Sequence, residues 1–419
     1  MSLAGTDHRP PKSSTMRRVV ITGMGCIAAS GHTAEECWVA MRDGKSGIGP
    51  VVNMATDMLL VRVAAEVRNF DPLKHFDEKR LALLDRVTQF ALVAARQAVA
   101  QSGLEFRKSG LGERTAVILG SGVGGQNTLD DSYKRLYLER NTRCHPLTIP
   151  RLMINAPASH ITMELGITGP AFVVGSACSS ANHAMGQALH MIRSGMVDAA
   201  VTGGTEACLT VGTMKGWEAM RVMAFDTCRP FSRDRRGMVL GEGAGVYVLE
   251  TLEHAQARGA DILCELAGAG MSSDAGDIVA PSEVGAARAM AMAMADGAMP
   301  LDEVDYINAH GTGTPINDST ETRTIRRVFG DLADKLWVSS TKSVHGHGLG
   351  AAGALELVAV IGAIKHGIVP PTLNYNERDP DCNLDYVPNT ARERKVRGAL
   401  TNSFAFGGLN AVLALRRVE

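Results

Sequence analysis

Two segments of this 419-residue chain, "SSANHAMGQALHMIRSG" (179–195) and "LGAAGALELVAVIGAIKHG" (349–367), have helical spacing and are apolar nearly all round. A helix of that kind has no face to turn to water and must be buried on every side. Each follows a short β-branched run and a turn, and each leads through "RSG" or "KHG" into a further run, "DAAVTGG" (198–204) or "GALTNSFAFGG" (398–408). The chain therefore reads as a weak duplication of two α/β halves, which must stack to bury both helices. The seam falls near residues 258–263, which gives halves over 16–260 and 261–419. No Pro/Ser linker separates them, so one compact unit is expected. Residues 1–15, polar and proline-containing, read as a flexible tail.

The remaining runs, "RRVVITGMG" (17–25), "RTAVILGSG" (114–122), "AFVVGS" (171–176), "VDYINAHG" (304–311) and "LWVSS" (336–340), are continuously apolar rather than alternating. Strands of that type are covered on both faces, the habit of a parallel sheet. The spacing over 78–103 predicts one long helix ending at Gly103.

Composition excludes several classes. Lys and Arg total 43 against 44 Asp and Glu, so no global field draws the chain to nucleic acid or to a membrane surface. The most apolar stretch, Ala354–Ile364, carries Glu356 and falls short of the roughly 20 residues of a membrane span. A soluble protein without stable membrane insertion is expected. The eight cysteines are scattered, with no C-x-x-C pair and no leading signal peptide, which favours a reducing cytoplasm over a disulfide framework.

Cys178, in "GSACSSANHAMG" (175–186), follows a strand and opens a helix. That turn exposes a nucleophile at the top of a sheet, and the helix N-terminus favours thiolate. The small neighbours leave a backbone N–H free to face an oxyanion. The bland alternative, a buried structural cysteine, is the commoner fate and suits most of the other seven. His310 follows a strand in "NAHGTGTPINDSTE" (308–321), and His347 precedes a helix in "SSTKSVHGHGLGAAGALE" (339–356). The pair at 345 and 347 lacks a supporting Cys or acidic ligand for a metal. Stacked halves would instead bring both histidines to the cysteine.

Taken in order, these three motifs, with "RPFSRDRRGMVLGEGAGVYVLE" (229–250) and "NSFAFGGLNA" (402–411), resemble the β-ketoacyl-acyl-carrier-protein synthases of the synthase II type, from about Arg17 to the C-terminus. The resemblance implies the thiolase fold, two pseudo-duplicated α/β halves in αβαβα layers, and a homodimer. It implies Cys178 as nucleophile, His310 and His347 as the histidine pair, Lys342 as the motif lysine and Glu356 as its acidic partner. Phe406 falls on the gating phenylalanine, whose N–H joins that of Cys178 in an oxyanion hole, and Thr312 and Thr314 fall on the route of the pantetheine arm. The implied reaction is a decarboxylative Claisen condensation. Its substrates ride on an acyl carrier protein, and no cofactor is implied beyond the carrier's phosphopantetheine.

Two departures stand out. After "FDP" (70–72), Lys79 and Arg80 are followed by Leu81-Ala82-Leu83-Leu84 where lipid-synthesis relatives carry a basic cluster. In "SSDAGDIVAPS" (272–282), Gly276, Asp277, Val279 and Ala280 replace the side chains with which relatives meet pantetheine. "ANHAMGQALHMIRSG", "MKGWEAMRVM" (214–223) and His345 are similar to the nodulation protein E branch. A non-catalytic partner of the chain-length-factor kind would lack Cys178, and a coenzyme A thiolase would carry a second cysteine near 404–410, where this chain has none.

Overall fold

The computed structural model describes residues 16–107 and 110–418, so the tail over 1–15 lies outside the described residues. Ten strands form the main sheet: β1 (Val19–Ala28), β2 (Thr115–Gly120), β3 (Ala171–Val174), β4 (Ala199–Glu206), β5 (Gly243–Thr251), β6 (Cys264–Ser273), β7 (Val304–Asn308), β8 (Trp337–Ser339), β9 (Gly398–Ala405) and β10 (Leu409–Arg416). Their spatial order, β8-β7-β9-β10-β6-β1-β5-β4-β2-β3, is one five-strand pattern used twice. The halves join where Val20 lies opposite Glu265 and Ile21 opposite Cys264.

The expected parallel sheet is corrected to a mixed one. β2 runs parallel to β3 and β4, as β7 does to β8 and β9. The other pairs within each half are antiparallel. Continuous hydrophobicity arises because both faces are covered, whatever the strand direction. In β5, Tyr247 and Leu249 enter the middle core while Val246 and Val248 enter an outer one. Burying each such side chain contributes about 1.5–3 kcal/mol.

Helices complete the layers: α1 (Arg86–Ser102), α2 (Ser180–Arg193), α3 (Val211–Ala219), α4 (Glu283–Asp296), α5 (Pro315–Phe329) and α6 (Ala352–His366). α1 covers the first half-sheet through Phe90 and Leu92, and α4 and α5 cover the second through Met290 and Ile325. Between the half-sheets lie α2 and α6, with Met185, Leu189, Leu357 and Ile361 in one core with Ile21 and Leu413. This is the αβαβα layering. The long helix expected over 78–103 is broken: a short turn spans Glu78–Leu81, and Asp85 caps α1 by accepting the Val87 N–H at 3.0 Å.

α6 is buried from Ala352 to Ile364, as its composition demands. The stretch Leu349–His366, with mean hydropathy 1.4, is long and apolar enough for a membrane span, but 89% of it is buried inside the fold. α2 differs from the expectation, since Gln187 and His190 are exposed. A Cβ on Gly245 would stand 2.5 Å from the carbonyl oxygen of Ala354, so β5 and α6 can approach only over a glycine. Gly245→Ala should lower unfolding stability by about 1–3 kcal/mol, read by chemical denaturation.

Candidate active site

β3 ends at Val174, and the chain turns through Gly175 and Ser176 into a tight turn, Ala177–Ser179, that leads into α2. Ala177 has φ +50°, a strained value for a residue with a Cβ. Hydroxyls hold that strain. The Ser176 N–H donates to Ser180 Oγ at 2.9 Å, Ser180 Oγ donates to the Ala177 carbonyl at 2.7 Å, and Ser179 Oγ donates to the Ser176 carbonyl at 2.8 Å. The serines around Cys178 are thus a clamp as well as small neighbours.

The two histidines come from the other half. Just beyond β7, the N–H groups of His310 and Gly311 each donate at 2.8 Å to the buried carboxylate of Glu321 on α5. The His347 N–H donates to the Val239 carbonyl at 2.7 Å, which ties its loop to the first half. The rings lie 5.4 Å apart, nearly perpendicular at 82°. Burial first, then the charge of Lys342, holds both well below the ordinary imidazole range, so both are neutral. The Leu349 N–H donates to His347 Nδ1 at 3.1 Å, and the Lys342 ammonium stands 3.3 Å from His310 Nδ1. Each Nδ1 therefore accepts, and each Nε2 carries the proton.

Lys342 and Glu356 are fully buried and directly paired. The ammonium also donates to the His310 carbonyl at 2.6 Å. Burial lifts the Glu356 carboxyl to about 7, with Lys342 pulling it back. His345 does not share this site: its Nε2 meets Thr341 Oγ1 at 3.0 Å, and burial lowers it to about 3. A histidine depressed in the fold loses stability as pH falls below about 6.5, where the unfolded chain takes the proton first. Between pH 7 and 5, wild type should therefore lose about 2 kcal/mol more than His345→Asn, read by urea unfolding at both pH values.

The thiolate expectation is overturned for the resting site. Burial pushes the Cys178 thiol up to about 12, against the pull of Lys342 and with Glu206 and Glu356 adding to the rise. Desolvation outweighs the helix end because Cys178 is only 6% exposed.

Cys178, His310, His347, Thr312, Thr314 and Phe406 line one pocket of about 470 Å³. The two threonine hydroxyls are 2.8 Å apart on its wall. The Phe406 ring stacks on Trp217 of α3, centroids 5.9 Å apart. Behind it, Gly407 and Gly408 both have positive φ, +82° and +66°, and a Cβ on Gly408 would meet Asp274 Cβ at 2.5 Å. Gly408→Ala should shift the Phe406 amide and reduce acylation of Cys178 about tenfold or more, read by the rate of adduct formation.

Sequence reasoning passed over Glu206. Its buried carboxylate accepts from Ser121 Oγ and the N–H groups of Gly122, Val123 and Gly350, so it ties the two halves together beside Cys178. Its only signal was a carboxylate ending an otherwise uncharged strand, in "GGTEA".

A thiol and two neutral imidazoles, brought from opposite halves of a duplicated α/β fold into one pocket, define a condensing enzyme of the thiolase fold. The chain belongs to the β-ketoacyl synthase family: residues 16–255 match the family's N-terminal domain and residues 263–376 its C-terminal domain. It is 49% identical over 402 residues to nodulation protein E of Rhizobium sp. (strain N33), covering 96% of this chain and 100% of that one. It is 39% identical over 413 residues to 3-oxoacyl-[acyl-carrier-protein] synthase 2 of Staphylococcus aureus (strain COL), covering 97% and 100%. Among solved structures it superposes on the ishigamide ketosynthase/chain length factor with TM-score 0.92 at 38% identity, covering 97% of this chain and 100% of that one.

Proposed function

We propose that this chain is a 3-oxoacyl-acyl-carrier-protein synthase that extends an acyl chain held as a thioester on Cys178. The observation that carries the reading is the single pocket shared by Cys178, His310 and His347. The Cys178 sulfur attacks the carrier's acyl thioester, the acyl–sulfur bond breaks, and the thiol proton ends on the departing pantetheine sulfur. That exchange needs no resting thiolate, in keeping with a thiol pushed up to about 12. A malonyl carrier then enters and its carboxylate leaves as carbon dioxide. The electron pair of the broken bond passes to an enolate, whose oxygen takes the two Nε2–H groups of His310 and His347. The carbanion attacks the Cys178 thioester, the tetrahedral oxygen takes the amides of Cys178 and Phe406, and its collapse breaks the acyl–Sγ bond, which releases the 3-oxoacyl carrier and a Cys178 thiolate that takes a proton from solvent. Thr312 and Thr314 accompany the pantetheine arm. Mass spectrometry after incubation with an acyl carrier should find one acyl adduct on Cys178; no adduct would overturn the reading.

The working unit in this reading is a cytoplasmic homodimer, with halves over 16–260 and 261–419. The sheet ends in edge strand β3, where Phe172 is 39% exposed, and Tyr137, Leu138 and Ile149 add further exposed apolar surface. A second copy of the chain would cover such a patch.

A further inference from the structure

The reaction proposed above leaves one buried carboxylate beside the site unused. Glu206 is the last residue of β4, at the level where its neighbours also end: Gly120 of β2 lies opposite Gly204 on one side and Val174 of β3 on the other. Glu206 is 0% exposed and does not line the pocket that holds Cys178. Among the described residues its oxygens meet N–H and O–H donors and no cation. Burial pushes the carboxyl up to about 7, and those donors pull it back. Burying a charge without a counterion is costly, and an apolar side chain would fill the same space without that cost. What only a carboxylate supplies is two oxygens that both accept from two sides.

The four donors come from both halves. Oε1 accepts from Ser121 Oγ at 3.1 Å and from the Val123 N–H at 3.3 Å, and Oε2 accepts from the N–H groups of Gly122 at 2.7 Å and Gly350 at 3.0 Å. On the first-half side, the Ser121 N–H donates to the Val174 carbonyl at 3.2 Å, where β3 ends and the Cys178 turn begins. On the other, Gly350 follows Leu349, whose N–H holds His347 Nδ1 at 3.1 Å. Leu349 has φ +46°, a strained value for a leucine, so its turn keeps that shape only under an outside tie. The approach is as close as glycine permits. A Cβ on Gly350 would stand 2.6 Å from the Ser121 carbonyl carbon and 2.7 Å from Glu206 Oε2, and a Cβ on Gly122 would stand 2.7 Å from the same oxygen.

One carboxylate thus links the strand end that carries the thiol to the turn that carries an imidazole. We infer that Glu206 is a positioning residue for condensation, which fixes the gap between the Cys178 sulfur and the His347 ring across the two halves. The inference rests on the function proposed above and deepens it. In that reaction the acyl group sits on one of these residues and the enolate oxygen on the other, and a misplacement of about 1 Å costs on the order of 10^2 in rate. Glu206 itself touches neither.

The test is run at pH 8, where the carboxyl is ionised. Glu206→Gln keeps the shape but puts an amide nitrogen where one oxygen stood, so two of the four donors lose their acceptor. Condensation turnover, counted per Cys178 that can be acylated, should fall about 10–100-fold with KM for the malonyl carrier within about twofold of wild type. Glu206→Ala cuts both ends of the tie. In protein labelled with 15N-histidine, the His347 Nδ1 signal, assigned by its loss in His347→Asn, should then move toward that of an unbonded nitrogen. A merely structural part would lower the urea midpoint and leave both readouts as in wild type. Unchanged turnover per acylated site in Glu206→Gln, or an unmoved Nδ1 signal in folded Glu206→Ala, therefore overturns the inference. Should Glu206→Ala fail to fold, the turnover of Glu206→Gln decides alone. A wild type that acylates with no carrier removes the proposed reaction, while the Nδ1 signal still tests the tie between Glu206 and His347.

Discussion

Cys178→Gln should abolish acyl transfer and condensation while decarboxylation of a malonyl carrier continues. Without sulfur no covalent thioester can form, and loss of a nucleophile lowers turnover by a factor on the order of 10^4 or more. Decarboxylation asks something else of the site. It needs donors for the enolate oxygen, and those come from His310 and His347, both neutral and both protonated on Nε2 by the bonds that Lys342 and Leu349 make to Nδ1. In the same background, His310→Ala should then reduce decarboxylation by about 10^2–10^3, the usual loss on removing one oxyanion donor. Release of labelled carbon dioxide measures the first activity, and 3-oxoacyl product measures the second. Equal loss of both in Cys178→Gln would end this division of labour.

Lys342→Ala should be the most damaging change outside the pocket. It strands the Glu356 carboxyl, 0% exposed, with no partner for its charge. Breaking one side of a buried ion pair costs about 3–5 kcal/mol, and His310 loses the group that keeps Nδ1 an acceptor. Stability loss alone would not distinguish a scaffold from a positioning residue. Replacing the pair together, Lys342→Met with Glu356→Leu, removes the stranded charge and should restore stability to within about 1 kcal/mol of wild type. Decarboxylation should nevertheless stay down about 10–100-fold in turnover with little change in KM, since the imidazole is no longer held in one tautomer. Recovery of turnover together with stability would assign the pair a purely structural part.

The residues of the site were legible because the chemistry needs those side chains next to glycine-rich turns at strand ends. Cys178, His310 and His347 each stand within such a turn. What the motifs did not carry was the environment. The fall in thiol pKa expected from the helix end reverses, because nearly complete burial dominates and two carboxylates, Glu206 and Glu356, lie near enough to add to it. The neighbours of Cys178 read only as small residues that leave a backbone N–H free, whereas the fold uses the hydroxyls of Ser176, Ser179 and Ser180 to hold a strained Ala177.

The chain by itself determined that there are two like halves and that helices near 180–193 and 352–366 sit in the interior. Side-chain periodicity and apolar content are local properties, and they survive any rearrangement of the halves. Strand direction was not among them, since a strand covered on both faces reads the same in either sense, and the mixed sheet emerged only from the pairing. Tertiary structure also decided which charges are neutralised, which imidazole nitrogen holds its proton, and that a cysteine from one half faces two histidines from the other. The cysteine and the histidines stand more than a hundred residues apart, and the desolvation that acts on all of these groups exists only once the halves have closed on α2 and α6.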